Sequence, residues 1–292
     1  NLADPGTIIK LRSGIYNETP ETKIDGLSSE PIVIEPDIGS TPVFDSDFTK
    51  NAIRFVHSNY ILRNVEIRNF NEGIRIEGAE NVTIENIVLH HGKNECLRLR
   101  YFAKNNTIRN NRIYFCGAID STSRITSGNG EGIYIGTSVN QRYKNGGLPD
   151  ETTDNTIKNN IIYDVTEGID VKEDSSYNWI LFNHIFESSD INSGGINIRA
   201  DDNFIYDNLA ESNAGAGIRI GGASGVYSPV YGNNYHYGRN NILRNNEAKD
   251  NLGYGYKFMW GPQDVDCSNI GSGNGGELYH FGSGVEPFLS CP

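Results

Sequence analysis

Six stretches of the chain repeat one short pattern: EGIRIEG (72–78), ECLRLRY (95–101), EGIYIGT (131–137), EGIDVKE (167–173), GGINIRA (194–200) and AGIRIGG (216–222). NAIRFVH (51–57) precedes the set and YGYKFMW (254–260) follows it. The first apolar residue of each is Ile53, Ile74, Leu97, Ile133, Ile169, Ile196, Ile218 and Tyr256, with successive gaps of 21, 23, 36, 36, 27, 22 and 38 residues. A repeat near 22 residues with longer insertions is the mark of stacked supersecondary units, each unable to bury its apolar face alone.

Two more apolar columns keep step with the first. One runs through Leu62, Ile84, Ile108, Ile157, Ile180, Ile205 and Leu243, and the other, five residues on, through Ile67, Leu89, Ile113, Ile162, Ile185, Ala210 and Ala248. Between them stand Asn111, Asn160, Asn183, Asn208 and Asn246. Asparagine tolerates a left-handed turn, and its amide can bond to the same residue one coil away. Helical periodicity is absent. The pattern predicts an all-β, single-domain right-handed parallel β-helix with an Asn ladder and long loops over one sheet. The domain is expected to span 1–292, with about 1–50 as N-terminal coil and cap and 261–292 as C-terminal cap. Ile133, Ile169 and Ile196 should stack inside one sheet.

The bulk numbers narrow the function. A net charge of −12 argues against nucleic acid as a partner. No apolar run is long enough to span a membrane. Four cysteines, Cys96, Cys116, Cys267 and Cys291, without a C-x-x-C pair allow three disulfide pairings, and Cys96–Cys116 with Cys267–Cys291 closes the shorter loops. Asn17, Asn81 and Asn105 begin glycosylation sequons. Together these features predict a secreted, disulfide-bonded glycoprotein, expected as a monomer.

The long insertions all flank first-column strands: 137–153 and 221–240 follow one, and 116–130 precedes one. Loops gathered on one face of a solenoid usually form a binding groove. The 221–240 loop carries Tyr231, His236 and Arg239, which suit stacking on sugar rings and pairing with carboxylates. On the strands, Glu131, Glu167, Asp170, Lys172 and Arg199 fall at outward positions of three adjacent coils. Strands in neighbouring coils lie about 4.8 Å apart, so these five should form one patch. The Arg/Glu column from 54 to 100 is expected as solvated ion pairs, and His90, His91 and His184 as structural residues away from the groove.

A patch of three carboxylates and two cations can serve β-elimination on an acidic polysaccharide. That reaction needs the uronate carboxylate neutralised, a base for the C5 proton, and departure of the 4-linked oxygen. Carboxylates on a rigid sheet also suit Ca2+, which takes six to eight hard oxygen ligands. The chain resembles the pectate-lyase-like superfamily of parallel β-helix polysaccharide lyases. Glu167-Gly168-Ile169-Asp170 is similar to the Asp-Gly-x-Asp calcium motif of polysaccharide lyase family 9. Glu167, Lys172 and Arg199 follow the order of a glutamate, a lysine base and a next-coil arginine in family 6. Val165 and Tyr134 stand where those families offer further acids, so Glu131 is the substitute ligand.

The resemblance implies Lys172 as base, Arg199 as carboxylate neutraliser, Tyr134 as a reserve acid or base, and Glu131, Glu167 and Asp170 as Ca2+ ligands. Arg100, Arg219, Tyr231, His236 and Arg239 are the expected substrate contacts. Two other readings stay open: a glycoside hydrolase with two of the three carboxylates as acid and nucleophile or base, and a non-catalytic carbohydrate-binding β-helix.

Overall fold

A computed structural model describes residues 3–117, 129–228 and 230–286, with the backbone of 289–290. Its strands form three long sheets of eleven, ten and nine strands, plus one two-stranded hairpin. All pairings within the long sheets are parallel, and each coil gives one strand to each sheet in turn. Residues 264–281 continue this pattern, with Asp264–Asp266, Ile270–Ser272 and Tyr279–Phe281 each extending one sheet. The chain is a parallel β-helix.

The three apolar columns are in register. Ile133 pairs with Ile169, Ile169 with Ile196 and Ile196 with Ile218 in the first sheet. Ile157 and Ile180 pair in the second, and Ile162 and Ile185 in the third. All of these residues are fully buried and belong to one continuous core. A one-residue slip in any coil would turn its aliphatic set to solvent, so each column fixes the register of its neighbours.

The Asn ladder is present and longer than the sequence suggested. Each amide donates to the next, Asn111 to Asn160 at 2.9 Å, Asn160 to Asn183 at 3.0 Å, Asn183 to Asn208 at 3.0 Å and Asn208 to Asn246 at 3.0 Å. A second ladder runs through Asn106, Asn155, Asn178, Asn203 and Asn241 to Gln263. A third joins Asn213, Asn251 and Asn274.

One expectation fails in detail: the ladder residues are not the left-handed ones. That conformation falls on the residue before each, at Asn110, Asn159, Phe182, Asp207 and Asn245, with φ between 54° and 58°. A two-residue corner needs a single left-handed step, and taking it early aims the next side chain inward to meet its copy one coil away. Even Phe182 accepts the strain.

Disulfide Cys96–Cys116 joins adjacent coils beside the first sheet, with Cα atoms 5.8 Å apart. The expected Cys267–Cys291 bridge involves Cys291, which lies outside the described residues. Asn17, Asn81 and Asn105 are exposed.

Candidate active site

The Glu-Gly-Ile motif owes its glycine to crowding between coils. A Cβ on Gly132 would lie 2.7 Å from the Gly168 carbonyl oxygen, and one on Gly168 would lie 2.5 Å from that of Gly195. These bare positions let the strands stack while the residues on either side carry function. Along Ile169–Val171 the side chains alternate, with Ile169 and Val171 in the core and Asp170 outward.

The five outward residues do converge. The Lys172 ammonium bonds Asp170 and lies 3.7 Å from Glu131. Arg199 stands 3.4 Å from Asp170 and 3.6 Å from Glu167. Tyr134 closes one side, with its ring centroid 4.5 Å from the Lys172 amine. Asn197, which the sequence reading did not single out, donates to Asp170 at 3.0 Å and to Glu167 at 3.3 Å. It accepts in turn from Arg219 at 2.8 Å. Its position directly after the first-column Ile196 was the available signal.

The cluster is far less solvated than an outer strand face suggests. Asp170 is 0% exposed, Lys172 5% and Glu131 6%. Burial pushes the Glu131 carboxyl up to about 7 despite the nearby Lys172 ammonium. Glu167 also rises, through burial and then repulsion from Asp170. Burial acts on Asp170 in the same sense, but Arg199 and Lys172 outweigh it and hold that carboxyl low. For Lys172, burial favours the neutral amine, yet Asp170, Tyr134 and Glu131 overrule it and keep the ammonium. Burial raises the Tyr134 phenol, so it keeps its proton through the neutral range.

The donor set fits a hard cation. Ligand oxygens of Glu131, Glu167 and Asp170 all lie within 4.8 Å of one another, and each residue is buried. Among the described residues, the three carboxylates face Lys172 and Arg199 as counter-charges within ion-pair distance. Burial, with repulsion among the acids, raises Glu131 and Glu167 despite those cations.

The remaining expected residues are dispersed. Arg219 joins the cluster through Asn197. Arg100 is buried over the Tyr101 ring, 3.8 Å from its centroid, and Arg98 is also buried, so the 54–100 column is not uniformly solvated. Tyr231 stacks on Tyr235 at 4.3 Å and, with Tyr177 and Asp202, lines a separate cavity of about 390 Å³. His236 packs against Trp260 with ring centroids 4.2 Å apart and planes tilted by 33°, and Arg239 lies 5.4 Å from the Tyr235 ring centroid. None of these three contacts is with Glu131, Glu167 or Asp170.

The two described loops are clasped rather than separated by an open cleft. Arg142 pairs with Asp174 at 2.6 Å and donates to the Tyr227 carbonyl oxygen at 2.9 Å and the Tyr237 hydroxyl at 2.8 Å. Glu173 accepts from the backbone N–H of Val139 at 3.3 Å and of Ala223 at 3.0 Å. A sugar cannot lie between the 137–153 and 221–240 loops at this point, and the two form one wall beside the cluster. Most of the third loop, 118–128, lies outside the described residues.

The sequence matches no family model and no curated protein. Solved structures do resemble the chain. An alginate lyase from Paenibacillus sp. str. FPU-7 is similar with a TM-score of 0.76 at 18% identity, over 98% of this chain and 94% of that one. The fold is one that polysaccharide lyases use. Pectate lyase Pel9A gives a TM-score of 0.59 at 16% identity, over 91% of this chain and 72% of its own. A rhamnogalacturonan lyase gives 0.55 at 17% identity, over 93% and 66%. At these identities the likeness concerns the solenoid.

Proposed function

We propose that the protein is an extracellular lyase that cleaves a uronic-acid-containing polysaccharide by β-elimination at the cluster of Glu131, Glu167, Asp170, Lys172 and Arg199. One observation carries this reading: a single amine, Lys172, buried against carboxylates on its own and the preceding coil, with an arginine on the coil after it. The likeness to three polysaccharide lyases supports the substrate class.

Arg199 receives the uronate carboxylate and holds the negative charge that develops as C5 loses its proton. The Lys172 amine takes that proton, the electron pair forms the C4–C5 double bond, and the 4-linked oxygen leaves. Tyr134, still protonated at neutral pH, is the donor for that oxygen. Asp170 and Asn197 keep Arg199 and Arg219 aimed at the sugar.

Lys172 is an ammonium while Asp170 and Glu131 face it, and in that form it cannot accept a proton. Glu131, Glu167 and Asp170 would hold Ca2+, which would supply the positive charge that disfavours the ammonium and would polarise the substrate carboxylate. The test is a panel of pectate, alginate and glycosaminoglycan polymers with and without EDTA, read by the ultraviolet absorbance of the unsaturated uronate. Absorbance on one polymer, lost in EDTA and restored by Ca2+, is expected. Full activity in EDTA would remove the cation, and no absorbance on any uronate polymer would reject the lyase.

A hydrolase reading draws on the opposed shifts of Glu131 and Asp170, the pattern of an acid beside an ionised carboxylate. It is the weaker one, because Asp170 is 0% exposed beneath Lys172, Arg199 and Asn197, out of reach of a sugar carbon.

A further inference from the structure

The cations on the outer face of the first sheet are not neutralised evenly. On the N-terminal side of the cluster, each arginine directly after a first-column residue faces two glutamates. Arg54 meets Glu21 at 2.8 Å and Glu77 at 2.6 Å; Arg75 meets Glu72 at 3.4 Å and Glu77 at 3.8 Å; Arg98 meets Glu72 at 2.5 Å and Glu95 at 3.5 Å. On the C-terminal side the same column continues in register through Asn197, Arg219, Lys257 and His280. Here the acids stop. Arg219 donates to the Asn197 side chain and the Gly221 carbonyl oxygen, both at 2.8 Å. The Lys257 ammonium has the Tyr254 ring 5.9 Å away, and that ring stacks on His280 at 4.0 Å. Among the described residues, no carboxylate lies within ion-pair distance of Arg219 or Lys257. Both side chains are partly exposed.

Neighbouring like charges without an anion are costly, and both groups are lowered: Arg219 by burial and then Arg199, Lys257 by burial and then Arg219. In a protein of net charge −12, with an acid opposite each arginine a few coils away, this stretch is a local positive field. Adjacent coils lie about 4.8 Å apart, close to the length of one 1,4-linked pyranose.

We propose that Arg219 and Lys257 form two successive anionic-sugar subsites, so that the polymer lies along the solenoid axis and extends from Arg199 toward the C-terminal coils. The position of the reacting sugar rests on the lyase reading; the subsites themselves do not. Arg219, fixed by Asn197 and Gly221, offers its remaining N–H groups to one carboxylate, and Lys257 offers a point charge to the next. The N-terminal coils, already neutralised, make no demand for a charged residue.

The test uses mannuronate and galacturonate dimers and tetramers, with binding measured by calorimetry in a Lys172→Arg background. A dimer can span Arg219 and Lys257, and a tetramer reaches Arg199 as well. In the uronate series that binds, Lys257→Ala should weaken the tetramer at least about tenfold, the loss expected for one charge-assisted contact, and weaken the dimer as well. Lys257→Arg should restore binding, and Arg75→Ala should move neither oligomer. With Lys172 intact, the Lys257→Ala loss should appear in KM while kcat is kept.

Equal tetramer binding with and without Lys257, or no binding of either series, would overturn the proposal. Lys257-dependent tetramer binding without unsaturated product would keep the subsites and reject the lyase. Unsaturated product at unaltered KM in Lys257→Ala would keep the lyase and reject the subsites.

Discussion

Lys172 carries two burdens in one side chain, charge balance and proton transfer. Truncating a side chain on an outer strand face ordinarily costs little stability, but that of Lys172 is 7% exposed and faces two buried acids. Lys172→Ala should therefore lower catalysis at least about 10²-fold and also destabilise the fold by roughly 3–5 kcal/mol, the cost of leaving a buried partner unpaired. Lys172→Arg separates the two, since it keeps the charge and loses the base. Urea unfolding near the parental midpoint with activity lost is expected for Lys172→Arg; substantial activity would send the search for a base to Tyr134.

Glu131 gives a second residue-scale prediction. Its carboxyl titrates at about 7 when folded against an ordinary value of 4.5. Between those values the folded protein holds a proton that the unfolded chain has released, so stability falls as pH rises through the window. Glu167 acts in the same sense. Asp170 acts oppositely, contributing stability above the ordinary aspartate value and losing it on acidification. Measured in EDTA, the thermal midpoint should drop between about pH 5 and pH 7, and Glu131→Gln should flatten the drop. A flat profile in the parent protein would contradict the burial assigned to Glu131.

Among the elements, the ladders hold the coil corners. Asn160 accepts from the Asn111 backbone and side chain at 3.1 and 2.9 Å, and donates to the Ile108 carbonyl oxygen and to Asn183. Asn160→Ala would strand the buried Asn111 N–H and strip one bond each from the Asn111 amide, the Ile108 carbonyl oxygen and the Asn183 amide oxygen; one unmet buried group costs roughly 1–3 kcal/mol, so denaturant unfolding should report a loss of at least about that size. Substituting the exposed neighbour Ile161 should cost little.

The main ladder was legible because its asparagines recur three residues after an aliphatic column. The second was written just as regularly, since Asn106, Asn155, Asn178, Asn203 and Asn241 each stand two residues before that same column, but only the positions after the column were read for it. The left-handed corner residues escaped for another reason: Phe182 and Asp207 share no chemistry with Asn110, only a backbone position. The clasp between the loops was equally hidden, since Arg142 and Tyr237 meet across 95 residues.

The whole molecule converts a one-dimensional repeat into a two-dimensional array of side chains. Residues far apart in sequence become neighbours at coil spacing, which is why the members of the central patch could be named from their columns alone. Burial could not be named that way, because it depends on how residues from three coils cover one another. The same geometry gives the face a polarity, with paired arginines before the cluster and unpaired cations after it. Binding of an anionic polymer should accordingly weaken as salt is raised, although the protein as a whole is acidic.

The central claim is that this face performs elimination, and the mass of the product ends tests it most directly. Elimination leaves a new non-reducing end lighter than a hydrolytic end by one water, while the reducing end is the same in both. Mass spectrometry of oligomers released from a uronate polymer should find that unsaturated end with the parent protein and not with Lys172→Arg. Saturated ends at full hydrolytic mass, released in proportion to new reducing groups, would contradict the account.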